Sequence, residues 1–183
     1  MIDFTQISEL SQGKTRVILF GLHPDISNII RYVLDYHDKN YDFVSAQHQN
    51  ITGNDFFLLD TDDEQLALSL SPTIVFIGSH FSASHYEDII QNITGGGFLI
   101  YPDFVAGLDR VVLQSSNFFK KYEYKKPTLA VANNQILLNT DLGELLIEVS
   151  DKEILNDIEG ARLFCQQLGV MEDEFYDALS TWG

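Results

Sequence analysis

The residues of this sequence that could do chemistry gather at three places. The first is the run Gly21-Leu22-His23-Pro24-Asp25-Ile26-Ser27. A glycine turn between a strand and a helix presents backbone N–H groups and the positive end of the helix dipole to a phosphate. This run has the wrong chemistry for a triphosphate. Pro24 has no N–H, Asp25 brings negative charge, and no lysine lies in it. His23 has two readings, a hydrogen bond within its own loop or a ligand contact. The second place is Asp60, Asp62, Asp63 and Glu64, whose oxygens suit a hard cation such as magnesium and equally suit a solvated strand end. The third is His80 and His85. Neighbouring parallel strands would deliver these to the same crevice as the acids; otherwise they lie exposed on a helix turn.

Three other features carry less. Gly13-Lys14-Thr15 imitates the end of a phosphate-binding loop, but it precedes a strand and reads as a solvated turn. Cys165 is the single cysteine, so neither a disulfide framework nor a cysteine zinc cluster is expected; it falls on an apolar helix stripe and reads as a core thiol. Ser27, Ser79 and Ser84 form no nucleophile elbow, and Gly95-Gly96-Gly97 opens no helix.

The elements that must position these residues follow from periodicity. Arg16 to Phe20 is a short apolar run of the buried parallel-strand kind, ending at Gly21. Ile26, Ile29, Ile30, Val33 and Leu34 then recur at helical spacing, so strand, turn and helix open a βαβ unit. Further strands are expected at 41–46, weakened by Asp42 and Ser45, and at 56–59, 73–77 and 98–101. A helix over 84–93 buries Tyr86, Ile89, Ile90 and Ile93. From Arg110 to Val149 the apolar runs 111–113, 129–131, 136–138 and 145–149, with turn signals at Asn133-Asn134 and Asp141-Leu142-Gly143, predict an antiparallel meander at the sheet edge. An edge of this kind needs cover, a protein partner or a second copy. Two helices close the chain, the first capped by Asp151 with a stripe of Ile154, Ile158, Ala161, Cys165 and Leu168 and stopped by Gly169. The second carries Phe175, Ala178, Leu179 and Trp182. The fold expected is one α/β domain over 1–183, a three-layer nucleotide-binding-like domain with a mostly parallel sheet and an antiparallel meander.

These motifs resemble the central, ATP-binding domain of the Mur ligases, enzymes that add amino acids or peptides to UDP-muramyl precursors. Gly21 to Ser27 is similar to that family's Gly-Thr-His-Gly-Lys-Thr-Thr loop, with Gly21 and His23 kept and Pro24 and Asp25 where the second glycine and the lysine belong. Phe56 to Asp63 resembles the strand ending in Glu-Ala-Asp-Glu, which implies a magnesium-binding role for Asp60. Thr73 to His85 resembles the strand with an Asn-x-Glu-x-Asp-His ending; His85 takes the place of its final histidine, and Ser82 and Ser84 replace its acids. No lysine lies between His85 and Lys120 to match the carbamylated lysine of several members. Ser150 to Trp182 resembles the closing helices, with Asn156 at the second asparagine and Lys152-Glu153 where an adenine-binding His-Asn belongs. The resemblance covers about 14–183 as an order of elements and is closest to the ligases for L-alanine or recycled muropeptide. It implies Gly21, His23, Ser27 and Asn156 as nucleotide-contacting positions, Asp60 and His85 as metal positions, and no catalytic residue.

Composition narrows the partners. Eleven basic residues against 27 acidic ones leave a formal charge of −16, which repels nucleic acid and anionic membrane surfaces. With 45% hydrophobic residues the chain is globular in type. No apolar run approaches the roughly 20 residues of a membrane span. The N-terminus lacks a basic region followed by an apolar run, so a cytoplasmic location is the expectation. Two functions remain open. One is a degenerate, non-catalytic module of peptidoglycan precursor metabolism, without a bound cofactor or with residual ATP and magnesium. The other is an ATP- and magnesium-dependent ligase component completed by other chains, or a small metal-dependent hydrolase using Asp60 and His85.

Overall fold

The computed structural model describes residues 4–132, 135–149 and 151–182. A helix α1 (Phe4–Leu10) leads into β1 (Thr15–Phe20) and then α2 (Pro24–Tyr36). The strands β2 (Asp42–Val44), β3 (Gln49–Asn50) and β4 (Phe56–Thr61) follow, then α3 (Glu64–Leu68), β5 (Ile74–Ile77), α4 (Glu87–Gln91), β6 (Phe98–Pro102), α5 (Leu108–Gln114) and β7 (Lys120–Tyr124). Three further strands, β8 (Thr128–Ala132), β9 (Gln135–Thr140) and β10 (Gly143–Ile147), precede α6 (Ile158–Gln167) and α7 (Glu172–Leu179).

The main sheet has seven strands in the order β3-β2-β4-β1-β5-β6-β7, parallel throughout except for β3. Its central strands are apolar on both faces because both faces are covered. Val17, Leu19, Leu58 and Phe76 pack with α2, α6 and α7. Ile18, Phe20, Leu59 and Val75 pack with α1, α3, α4 and α5. The three-layer expectation holds. β1 and β4 are neighbours whose following helices lie on opposite faces, which opens a crevice outside their carboxyl ends.

The expectation for 110–149 is corrected in three ways. Val111 to Leu113 is the interior of α5, not a strand. Lys120–Tyr124, which has no apolar run to announce it, joins the main sheet in parallel beside β6. The meander is only β8-β9-β10, a separate three-stranded sheet rather than an extension of the main one. Its Leu138 and Ile147 are buried against the α2–α6–α7 layer. The turn signal at Asn133-Asn134 lies outside the described residues.

Asp42 does not weaken its strand; it anchors it. Its buried carboxylate accepts from the backbone N–H groups of Thr52 (2.9 Å), Gly53 (3.1 Å) and Asn54 (3.2 Å) through Oδ1 and from Lys14 Nζ through Oδ2. Lys14, expected in a solvated turn, is therefore the counter-ion of a core carboxylate. Cys165 is fully buried and burial pushes its thiol pKa up, as befits a core thiol.

Candidate functional site

β1 ends by turning at Gly21, whose φ of +70° and surroundings both exclude a side chain. A Cβ there would lie 2.9 Å from the Tyr86 hydroxyl. The matching turn after β5 is tighter, since a Cβ on Gly78 would lie 2.1 Å from the Gly21 carbonyl oxygen. The two turns are tied by His80 N donating to Gly21 O (3.3 Å) and by the Tyr86 hydroxyl donating to Gly78 O (2.8 Å). These bonds bring the strand ends together.

The N–H groups at the start of α2 are consumed by the loop itself. His23 is the N-cap, and its Nδ1 accepts from Asp25 N at 3.2 Å. Its carbonyl accepts from Ile26 N (2.9 Å) and Ser27 N (3.3 Å). Pro24 at the first helical turn has no N–H to offer, and Gly21 N donates to Asp62 Oδ1 at 3.2 Å. Asp25 places a carboxylate at the positive end of the helix dipole, the position a phosphate would otherwise take.

Ser27 and Asp60 meet directly. The Ser27 hydroxyl donates to Asp60 Oδ2 at 2.7 Å. Burial raises the Asp60 pKa above the usual carboxylate value; the Ser27 bond and Arg31 oppose this, and Asp62 adds to it. Both residues line a cleft of about 600 Å³ outside the ends of β2 and β4. Leu22, Pro24 and Phe43 supply its apolar wall, and Asp62 and Asp63 add carboxylates. Its cation, Arg31, faces Phe43 (4.9 Å to the ring centroid) and lies 2.9 Å from His48 Nε2.

The remaining predicted positions lie elsewhere. His85 is exposed, with Nδ1 3.0 Å from Ser82 Oγ and its ring stacked on Phe81 at 5.4 Å. It is not part of the cleft wall that carries Asp60. Among the described residues no three His, Cys, Asp or Glu side chains converge to hold a metal ion. Asn156 is half-buried in a 3-10 turn spanning Lys152–Asp157; Asp151 caps this turn, and the helix expected to start there begins only at Ile158, with Asp157 at its N-cap. The Asp157 side chain reaches the sheet instead. That buried carboxylate accepts from Ser79 N (3.1 Å) and the Tyr124 hydroxyl (2.8 Å), which joins the start of α6 to the turn after β5. Burial raises the Asp157 pKa against those bonds. Sequence reasoning missed this residue; the available signal was an aspartate set inside the apolar run Ile154, Leu155 and Ile158.

No protein-family profile matches the chain, and no curated protein matches it in sequence. Solved structures do match in shape. The UDP-N-acetylmuramoylalanyl-D-glutamyl-2,6-diaminopimelate--D-alanyl-D-alanyl ligase of Acinetobacter baumannii superposes with a TM-score of 0.71 at 11% identity, over 98% of this chain and 48% of that one. The fold is Mur-ligase-like. A murein peptide ligase from Psychrobacter arcticus aligns with a TM-score of 0.70 at 12% identity, over 97% of this chain and 50% of its own. A mutant of L. casei FPGS aligns at 0.61 and 12%, covering 99% and 68%. The chain thus spans about half the length of the first of these Mur-ligase-like structures. Among the described residues no helix is long and apolar enough to cross a membrane.

Proposed function

We propose that this chain is a degenerate counterpart of the Mur-ligase central domain, a non-catalytic binding or regulatory module in peptidoglycan precursor metabolism. One observation carries the reading: the loop after β1 spends the N–H groups of Gly21, Asp25, Ile26 and Ser27 on Asp62 and His23. With Pro24 and Asp25 in place of donors and no lysine, it does not fit the phosphates of ATP. A cytoplasmic location and a protein partner belong to the same reading.

A second reading is supported by the cleft. Asp60, held by Ser27, and the adjoining Asp62 are oxygen ligands suited to magnesium, and an FPGS neighbour was solved as an AMPPCP complex. On that reading the chain is a ligase component that needs a cation from another chain.

Calorimetric titration with ATP and ADP, with and without magnesium, separates the two. The first reading expects no binding heat at millimolar nucleotide. Magnesium-dependent binding lost in Asp60→Ala favours the second, and nucleotide turnover by the chain would sink the first.

A further inference from the structure

The main sheet ends on β7, sequence Lys120-Lys121-Tyr122-Glu123-Tyr124. Its other end, β3, has only two residues. Lys120 N donates to Gly97 O (2.8 Å) and Tyr124 O accepts from Asp103 N (2.9 Å), so Lys120, Tyr122 and Tyr124 turn their backbone groups toward β6. Strand alternation then turns the N–H and C=O groups of Lys121 and Glu123 outward to the free edge. Lys120, Lys121 and Glu123 are exposed, and Phe118 beside them is 83% exposed.

We propose that this edge is a self-association site, in which β7 of a second copy pairs antiparallel about a dyad at Tyr122. Only residues whose backbone groups point outward can exchange hydrogen bonds, which leaves three central registers. Lys121 opposite itself and Glu123 opposite itself place like charges face to face. The third sets Lys121 against Glu123 of the second copy and Glu123 against its Lys121, while Tyr122 meets Tyr122. The pattern is self-complementary, as a two-fold interface requires. A guarded edge carries lysine to repel every pairing; the glutamate between these lysines leaves one pairing attractive.

The edge is less acidic than the rest of the molecule. Four of the eleven basic residues (Lys120, Lys121, Lys125 and Lys126) lie in this short stretch of a chain whose formal charge is −16. The −16 field that opposes approach of a second acidic copy is locally offset at this edge, while facing lysines still repel, so the Lys121–Glu123 cross pairs decide the register. Lys120 and Lys121 already lie over the rings of Phe98 (5.2 Å) and Phe119 (5.6 Å), so their stems are held along the edge and lose less freedom on pairing.

Analytical ultracentrifugation of the whole chain from about 10 μM to about 1 mM, the range of a small interface, tests this. A monomer–dimer equilibrium is expected. Lys121→Glu and Glu123→Lys each turn two attractive pairs into repulsive ones and raise the Kd roughly tenfold. The double variant Lys121→Glu/Glu123→Lys restores opposite charges and returns the Kd toward that of the unaltered chain. Both substituted positions are exposed, and circular dichroism reports whether each variant is folded. A chain monomeric throughout, a dimer indifferent to the single reversals, or a double reversal that fails to restore it overturns the proposal.

Discussion

At Asp60, burial favours the protonated carboxyl; the Ser27 hydrogen bond and Arg31 offset only part of this, while Asp62 adds to it. A group whose folded pKa is raised contributes most below its unfolded pKa, and that contribution is lost as pH rises through the folded value. Ionised Asp60 therefore costs stability at neutral pH. Asp60→Asn keeps an acceptor for Ser27 and removes the charge, so it should stabilise the chain by about 1 kcal/mol at pH 7. The gain should shrink as pH falls into the carboxylate range. Urea denaturation across pH measures it, and a variant less stable than the parent at pH 7 would show that the charge is compensated.

The opposite sign governs the elements that Asp42 holds together. Burial pushes its pKa up, but the bonds from Lys14 and from the Thr52 and Asn54 N–H groups outweigh it and hold the pKa below the usual value. Its contribution is full above the unfolded pKa and is lost as pH falls through the folded one. This carboxylate joins the start of β1, through Lys14, to the start of β2 and the turn before β4. Lys14→Met leaves it buried without its cation, at a cost of about 3 kcal/mol near neutrality. That cost should diminish on acidification, as the protonated carboxyl no longer requires the ammonium. Thermal melts at pH 7 and in the carboxylate range check this; a cost independent of pH would mean that Lys14 acts by packing alone.

For the whole molecule, 27 acidic residues on a 183-residue chain oppose compaction by mutual repulsion. Stability should rise as NaCl goes from about 20 mM to about 0.3 M, because the screening length drops below roughly 10 Å. A melting temperature that stayed flat or fell would show that local pairs such as Lys14–Asp42 and Arg162–Glu159 dominate over the global field.

Much of this was legible along the chain. Continuous apolar runs announced β1, β4, β5 and β6 because strands covered on both faces need no alternation. Helical spacing announced the buried faces of α2, α6 and α7, and the chemistry of Pro24 and Asp25 was readable without coordinates, since a missing N–H and an added charge do not depend on neighbours. Tertiary structure decided what depends on partners distant in sequence. β7 is mostly polar and became a strand because β6 offered it a ladder. Val111 to Leu113 suited a strand by type, yet α5 packs Val112 against the sheet instead. Lys14 and Asp42 are 28 residues apart, and Ser79 and Asp157 are 78 apart, so no local pattern could pair them. A local signal reports what one residue does to its own backbone; which polar groups meet in the core is set by the strand order that brings them there.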